Sequence, residues 1–155
     1  MCIPASVRVI SESAFEDCAQ LRRIDFAQDS ALSVIRHAAF RRSGVANLAT
    51  PRRLRQIDHA AFAECESLVQ VTLNEGLQSV GSPAFGEECE GTFEGSSVQL
   101  VHLPSSMVSL YERTFRDYKK LRRIVLPQNV KMLGERCFQN SGLEELAFGE
   151  PRDDA

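Results

Sequence analysis

The chain lacks any apolar run of about 18 residues, the length at which a membrane-crossing helix becomes a candidate, so no helical membrane insertion is expected. Its opening, MCIPASVRVI, has neither the basic start nor the unbroken apolar stretch of a secretory leader. As written, the chain is therefore expected to stay where it is made, in the cytoplasm. A strong charge of one sign is also missing: 18 Lys and Arg stand against 21 Asp and Glu, a formal charge of −3. Such a balance supplies no global field for nucleic acid or an anionic membrane, so any partner must be read from local patches. There is no C-x-x-C pair to hold zinc. Five cysteines, an odd number, fit reduced thiols better than a closed set of disulfides.

What is present is a repeat. Phe15, Phe40, Phe62, Phe93, Phe115 and Phe138 recur at spacings of 25, 22, 31, 22 and 23 residues, each preceded by a small residue. Ahead of the anchor stand two further apolar positions, as in Val7 and Ile10, Leu32 and Ile35, or Leu54 and Ile57. After it comes an L-x-x-I-x-L segment, seen as Leu21, Ile24, Phe26 and again as Leu121, Ile124, Leu126. The anchor half reads as a tight turn or single helical turn, and the second half as a short strand whose last residues alternate in and out. Proline closes the strand at Pro51, Pro104 and Pro127, where the missing N–H ends pairing. No single rung could fold alone; stacked rungs share one core.

The strand half resembles a leucine-rich repeat, and the full unit IPASVRVISESAFEDCAQLRRIDF is similar to the BspA-like class, with its I-x-x-x-A-F-x-x-C-x-x-L signature. A longer C-x-x-L rung alternates with a shorter S-G-L rung. Cys18, Cys65 and Tyr118 mark the long form; Ser43-Gly44-Val45, Ser96-Ser97-Val98 and Ser141-Gly142-Leu143 mark the short one. The resemblance covers about residues 3–149. It implies an α/β fold: a right-handed leucine-rich-repeat solenoid with a parallel β-sheet on one face and short helical turns and loops on the other. That class is associated with cell-surface proteins of bacteria and protists and with adhesion, and it offers no catalytic motif or cofactor to carry over.

The expected organisation is a single domain over 1–155 with six rungs and one interruption. In AFGEECEGTF, Ala84-Phe85 begins the fourth rung and Thr92-Phe93 finishes it, with an acidic, glycine-bearing loop inserted at about 86–93. Ile3-Pro4 resembles the tail of a strand, and neither end carries an obvious cap. Open ends of this kind favour end-to-end self-association. Were the chain a fragment of a longer array, a cell-surface location would replace the cytoplasmic one.

Four groups of residues are candidates for function. Cys18 and Cys65 share one slot two rungs apart, ~10 Å, beyond the ~7 Å reach of a disulfide, and are expected to be buried packing residues. His37 and His59 hold equivalent slots in adjacent rungs, within ~5 Å of each other, but lack a third metal ligand and share the slot with Glu12, Glu112 and Glu135. Six arginines, Arg36, Arg41, Arg42, Arg52, Arg53 and Arg55, lie between Ser30 and Ile57 with no acid among them. No aromatics interleave with them to stack bases, which disfavours nucleic acid, and inter-rung ion pairs with Glu16, Asp17 and Glu64 account for Arg41 and Arg42.

The fourth group is the strand face, where outward positions stack into columns. One runs Arg23, Asn47, Gln70, Leu100, Arg123, Glu145, and the next Asp25, Ala49, Thr72, His102, Val125, Ala147. A third runs Arg22, Ala46, Val69, Gln99, Arg122, Glu144. Hydrogen-bonding groups around small apolar spots suit a protein surface, so Arg22, Arg23, Asp25, Asn47, Gln70, Thr72, Leu100, His102 and Arg123 are expected to contact a protein or peptide. No nucleophile, base and oxyanion donor converge in the pattern, so no enzyme is expected; the alternative is a structural or adhesive segment of a longer surface array.

Overall fold

A computed structural model of the chain describes residues 1–81 and 91–149. Most of the expected acidic insertion, with its Ala84-Phe85 start, and the residues from 150 onward lie outside the described residues. Short strands follow one another in chain order: β1 (Cys2–Ile3), β2 (Val9–Ile10), β3 (Asp25–Phe26), β4 (Val34–Ile35), β5 (Asn47–Ala49), β6 (Gln56–Ile57) and β7 (Gln70–Thr72). They continue as β8 (Ser79–Val80), β9 (Leu100–His102), β10 (Ser109–Leu110), β11 (Arg123–Leu126), β12 (Met132–Leu133) and β13 (Glu145–Phe148).

The even-numbered strands form one parallel sheet, β2-β4-β6-β8-β10-β12. The odd-numbered strands form the other face, with β5-β7-β9-β11-β13 in one sheet, β1 paired to β3, and a bridge from Arg23 to Asn47 linking the two. All pairings are parallel, because each strand meets its own repeat one turn of the chain later. The sequence pattern marked only the odd face as strand. Val9–Ile10 and its counterparts are two-residue strands, too short for an alternating signature to be visible.

No helix occurs among the described residues, so the expected helical turns are replaced by tight turns and the fold is a parallel β-solenoid of about six turns. The reason lies in the backbone on either side of each phenylalanine. Around every stacked phenylalanine but Phe93 the residues two before and two after take the left-handed conformation, as at Ser13 (φ 54°) and Asp17 (φ 60°), Ala38 and Arg42, Ala60 and Glu64; beside Phe93, Gly95 (φ 71°) does so. A left-handed residue cannot continue a right-handed helix. Hydrogen bonding alternates accordingly. The N–H groups of Ser13, Phe15 and Asp17 donate to the carbonyls of His37, Ala39 and Arg41 one rung on, at 3.0, 2.7 and 2.9 Å, while those of Glu16 and Cys18 turn back to Ser13 and Phe15. The turn segment is thus tied to its neighbour as the sheets are.

The core runs continuously from Ile3 to Cys137. Its axis is a stack of rings: Phe15, Phe40, Phe62, Phe93, Phe115 and Phe138 follow one another at centroid distances of 5.0, 5.1, 5.7, 6.1 and 5.6 Å. Phe93 therefore fills the fourth place, despite the longer gap before it. The four inner rings have no exposed area, and each buried phenylalanine contributes about 1.5–3 kcal/mol.

The alternation of long and short rungs also has a steric cause. The Gly44 N–H donates to the Cys18 carbonyl at 3.2 Å and that of Gly142 to the Tyr118 carbonyl at 3.0 Å. A Cβ on Gly44 would come within 2.1 Å of the Ala19 oxygen, so the short rung lies on the bulge of the long one only where no side chain intervenes. In the fourth rung Ser97 holds that slot, and no such bond reaches Cys65.

Candidate functional site

The odd-strand face aligns its outward residues by backbone pairing. Asn47 pairs with Gln70, Gln70 with Leu100, Leu100 with Arg123 and Arg123 with Glu145; the neighbouring column runs Ala49, Thr72, His102, Val125, Ala147. Between these columns Leu48, Val71, Val101 and Ile124 point inward and are buried. Arg22, Arg23, Asn47, Gln70, Thr72, His102 and Arg123 are exposed, and Asp25 is half-buried. Leu100 is placed by the register alone. Over the first three rungs the face forms a shallow depression of about 370 Å³, lined by Arg22, Arg23, Asp25, Asn47, Gln70 and Thr72 over a floor of Ile24, Leu48 and Ala49. At the opposite end Arg122 pairs with Glu144 at 2.9 Å and Arg123 with Glu145 at 3.4 Å.

The arginines of the second and third rungs divide. Arg41 bridges Glu16 at 3.3 Å and Glu64 at 2.9 Å, while Arg42 meets Asp17 at 2.5 Å and Glu16 at 3.2 Å. Hydrogen bonding from Arg42 holds the Asp17 carboxyl below the usual carboxylate range; for Glu16 the Ser13 side chain is the leading cause, ahead of Arg41 and Arg42. These arginines are therefore engaged within the chain. Arg55 donates to the Gly76 carbonyl at 3.0 Å, and Arg36 lies 3.6 Å from Asp58.

His37 and His59 stack at a ring-centroid distance of 4.1 Å, with His37 Nδ1 at 3.3 Å from the His59 carbonyl. They line a cleft of about 660 Å³ with Val9, Glu12, Arg36 and Asp58. Burial pushes the His59 imidazole below its ordinary range, and the stacked His37 adds to this against the opposing pull of Asp58 and Glu12. The Asp58 carboxylate is already taken up by Gln56 at 2.5 Å and by Arg36. Among the described residues no group of three or more His, Cys, Asp or Glu side chains is placed to hold a metal ion.

The cysteines separate by position along the solenoid. Cys65 is buried, with its Sγ donating to the Phe40 carbonyl at 3.0 Å, and burial pushes the Cys137 thiol up to about 12. Cys18, expected to be buried in the slot of Cys65, is exposed instead, because among the described residues no turn stacks on that side of the first rung. Among the described residues all cysteines are free thiols, and no helix is long and apolar enough to cross a membrane.

The solenoid has relatives among solved structures. Over 97% of its length the chain superposes, with a TM-score of 0.70 and 26% identity, on 38% of a leucine-rich cell surface protein from Faecalibacterium prausnitzii A2-165. Over 96% it also matches half of the pneumococcal vaccine antigen PcpA, at a TM-score of 0.54 and 20% identity, a likeness of fold. The chain thus spans half or less of the length of these two proteins. Among curated proteins none matches it. The family model for the BspA type leucine rich repeat region matches residues 1–91 and 87–152, as six copies. With its phenylalanine stack, its alternating rungs and this match over nearly the whole length, the chain belongs to the BspA-type leucine-rich repeat family.

Proposed function

We propose that the chain is a non-catalytic recognition module whose odd-strand face holds a protein or peptide partner. The supporting observation is the placement of exposed hydrogen-bonding side chains in straight columns around the depression of the first three rungs. A rigid sheet presents these groups at fixed ~4.8 Å intervals, so a partner can bind without first ordering the surface. The test is affinity capture by the intact chain beside a variant with Arg23→Ala, Gln70→Ala, His102→Ala and Arg123→Ala, both checked for fold by circular dichroism. A partner held by the intact chain and lost by the variant supports the face as the binding surface. Equal retention by both sinks it.

A second reading is favoured by one observation, the likeness to a cell surface protein of which this chain spans 38%. On that reading the six rungs are an adhesive or structural segment of a longer surface array. Surface labelling of intact cells that express the gene distinguishes the two, since only the array reading requires the rungs to be accessible from outside.

A further inference from the structure

The strand face is unevenly charged, and the residue one rung on decides where. In the fifth rung Arg122 and Arg123 are answered by Glu144 and Glu145, so that end is internally neutralised. Arg22 and Arg23 hold the same slots in the first rung, but Ala46 and Asn47 stand opposite them. Arg22 has no ion-pair partner among the described residues, and Arg23 is paired only along its own strand, to Asp25 at 2.7 Å. Two cations thus share one carboxylate at the rim of the depression. Beside them the exposed amides of Asn47 and Gln70 offer both donors and acceptors, and Val69 is 51% exposed next to Ala46.

We infer that the partner seated on this face is an extended peptide bearing a carboxylate, which Arg22 receives while Asn47 and Gln70 hydrogen-bond the peptide backbone and an apolar side chain covers Ala46 and Val69. This rests on the strand-face reading above. A guanidinium matches a carboxylate in shape and charge, and the amides of successive rungs match the alternating N–H and C=O of an extended chain. An extended peptide advances ~3.3 Å per residue, so an acid and an apolar residue two or three positions apart span about two rungs.

The test uses the full chain, labelled with ¹⁵N and titrated with a blocked tripeptide of glutamate, alanine and valine, with its glutamine counterpart, and with oligogalacturonate. The side-chain amide signals of Asn47 and Gln70 report directly on the site. At low salt the acidic peptide is expected to bind about three- to fivefold more tightly than the amide, an advantage that Arg22→Gln removes, Arg122→Gln preserves and about 0.5 M salt abolishes. Equal affinities, with the Asn47 and Gln70 signals still moving, overturn the acid requirement and leave the strand-face reading standing. Signals that stay still for both peptides overturn the inference, as does a response to oligogalacturonate alone. If the partner from the capture experiment is insensitive to both the Arg22→Gln and the fourfold alanine variants, the strand-face reading itself falls.

Discussion

Phe62 packs between Phe40 at 5.1 Å and Phe93 at 5.7 Å, with no exposed area on the ring. Removing it opens a void that two rigid rungs cannot close, so Phe62→Ala is expected to cost about 3–5 kcal/mol in urea unfolding. Phe15, only partly buried at one end of the stack, should cost clearly less when replaced by alanine; equal losses would argue against a column with closed middle and open ends. His59 sets a second expectation. With its folded proton affinity lowered, the unfolded chain takes up that proton first as pH falls through about 6.5, so the stability it contributes is complete above that pH and lost below it. The lowered carboxyls of Glu16 and Asp17 act in the same direction at lower pH, weakly, since Asp17 is exposed and Glu16 only half-buried. The melting temperature is expected to fall between pH 7.5 and 5.5, and to fall less steeply in His59→Gln. The pairing of His37 with His59 was legible in the sequence, because equivalent slots in adjacent rungs must lie one strand spacing apart. The exposure of Cys18 was not, because a slot's burial depends on having a neighbour on both sides.

At the scale of elements, strands of two to four residues and the tight turns between them have little stability of their own, and the bonds that hold them run mostly between rungs. This makes close approach between rungs the sensitive quantity. Gly44→Ala is expected to destabilise the chain by about 1–3 kcal/mol, read as a lower urea midpoint with unchanged slope, since its Cβ would meet the backbone of Ala19. An unchanged midpoint would mean that the long rung yields at no cost, as the bond missing at Ser97 shows one rung does without. The odd-face strands could be read from the L-x-x-I-x-L pattern because its last two apolar positions alternate and the pattern recurs in every rung. The even-face strands and the left-handed turn residues could not. Ser13, Ala38, Arg42 and Glu64 have no composition in common, and their backbone conformation is imposed by the bonds of alternate residues to the next rung.

For the whole molecule, stability is close to a sum of contacts between neighbouring rungs, so a rung stacked on one side only contributes least. In the last rung Leu133, Leu146 and Phe148 are 45%, 40% and 71% exposed. Among the described residues the N–H groups of Arg136, Phe138 and Asn140 make no backbone bond, whereas their counterparts Arg113, Phe115 and Asp117 donate to the next rung. The carbonyls of Glu12, Ala14 and Glu16 in the first rung accept no backbone bond among the described residues, so this face is complementary to that one. Sedimentation equilibrium is expected to show association that grows with concentration and weakens when Leu133→Glu and Phe148→Glu are combined. A monomer at every concentration, for the intact chain and the double variant alike, would show the ends to be self-sufficient.

The sequence by itself determined the number of rungs, the phenylalanine stack, the register of the strand face and the alternation of long and short rungs. Each is a consequence of period, and a period is visible along one dimension. Tertiary structure decided the second sheet, the replacement of helical turns by left-handed ones and the exposure of Cys18. Those depend on what the neighbouring rung places opposite a residue. Cys18 and Cys65 occupy the same slot in the repeat, and only the rungs stacked on either side bury the second while the first stays exposed.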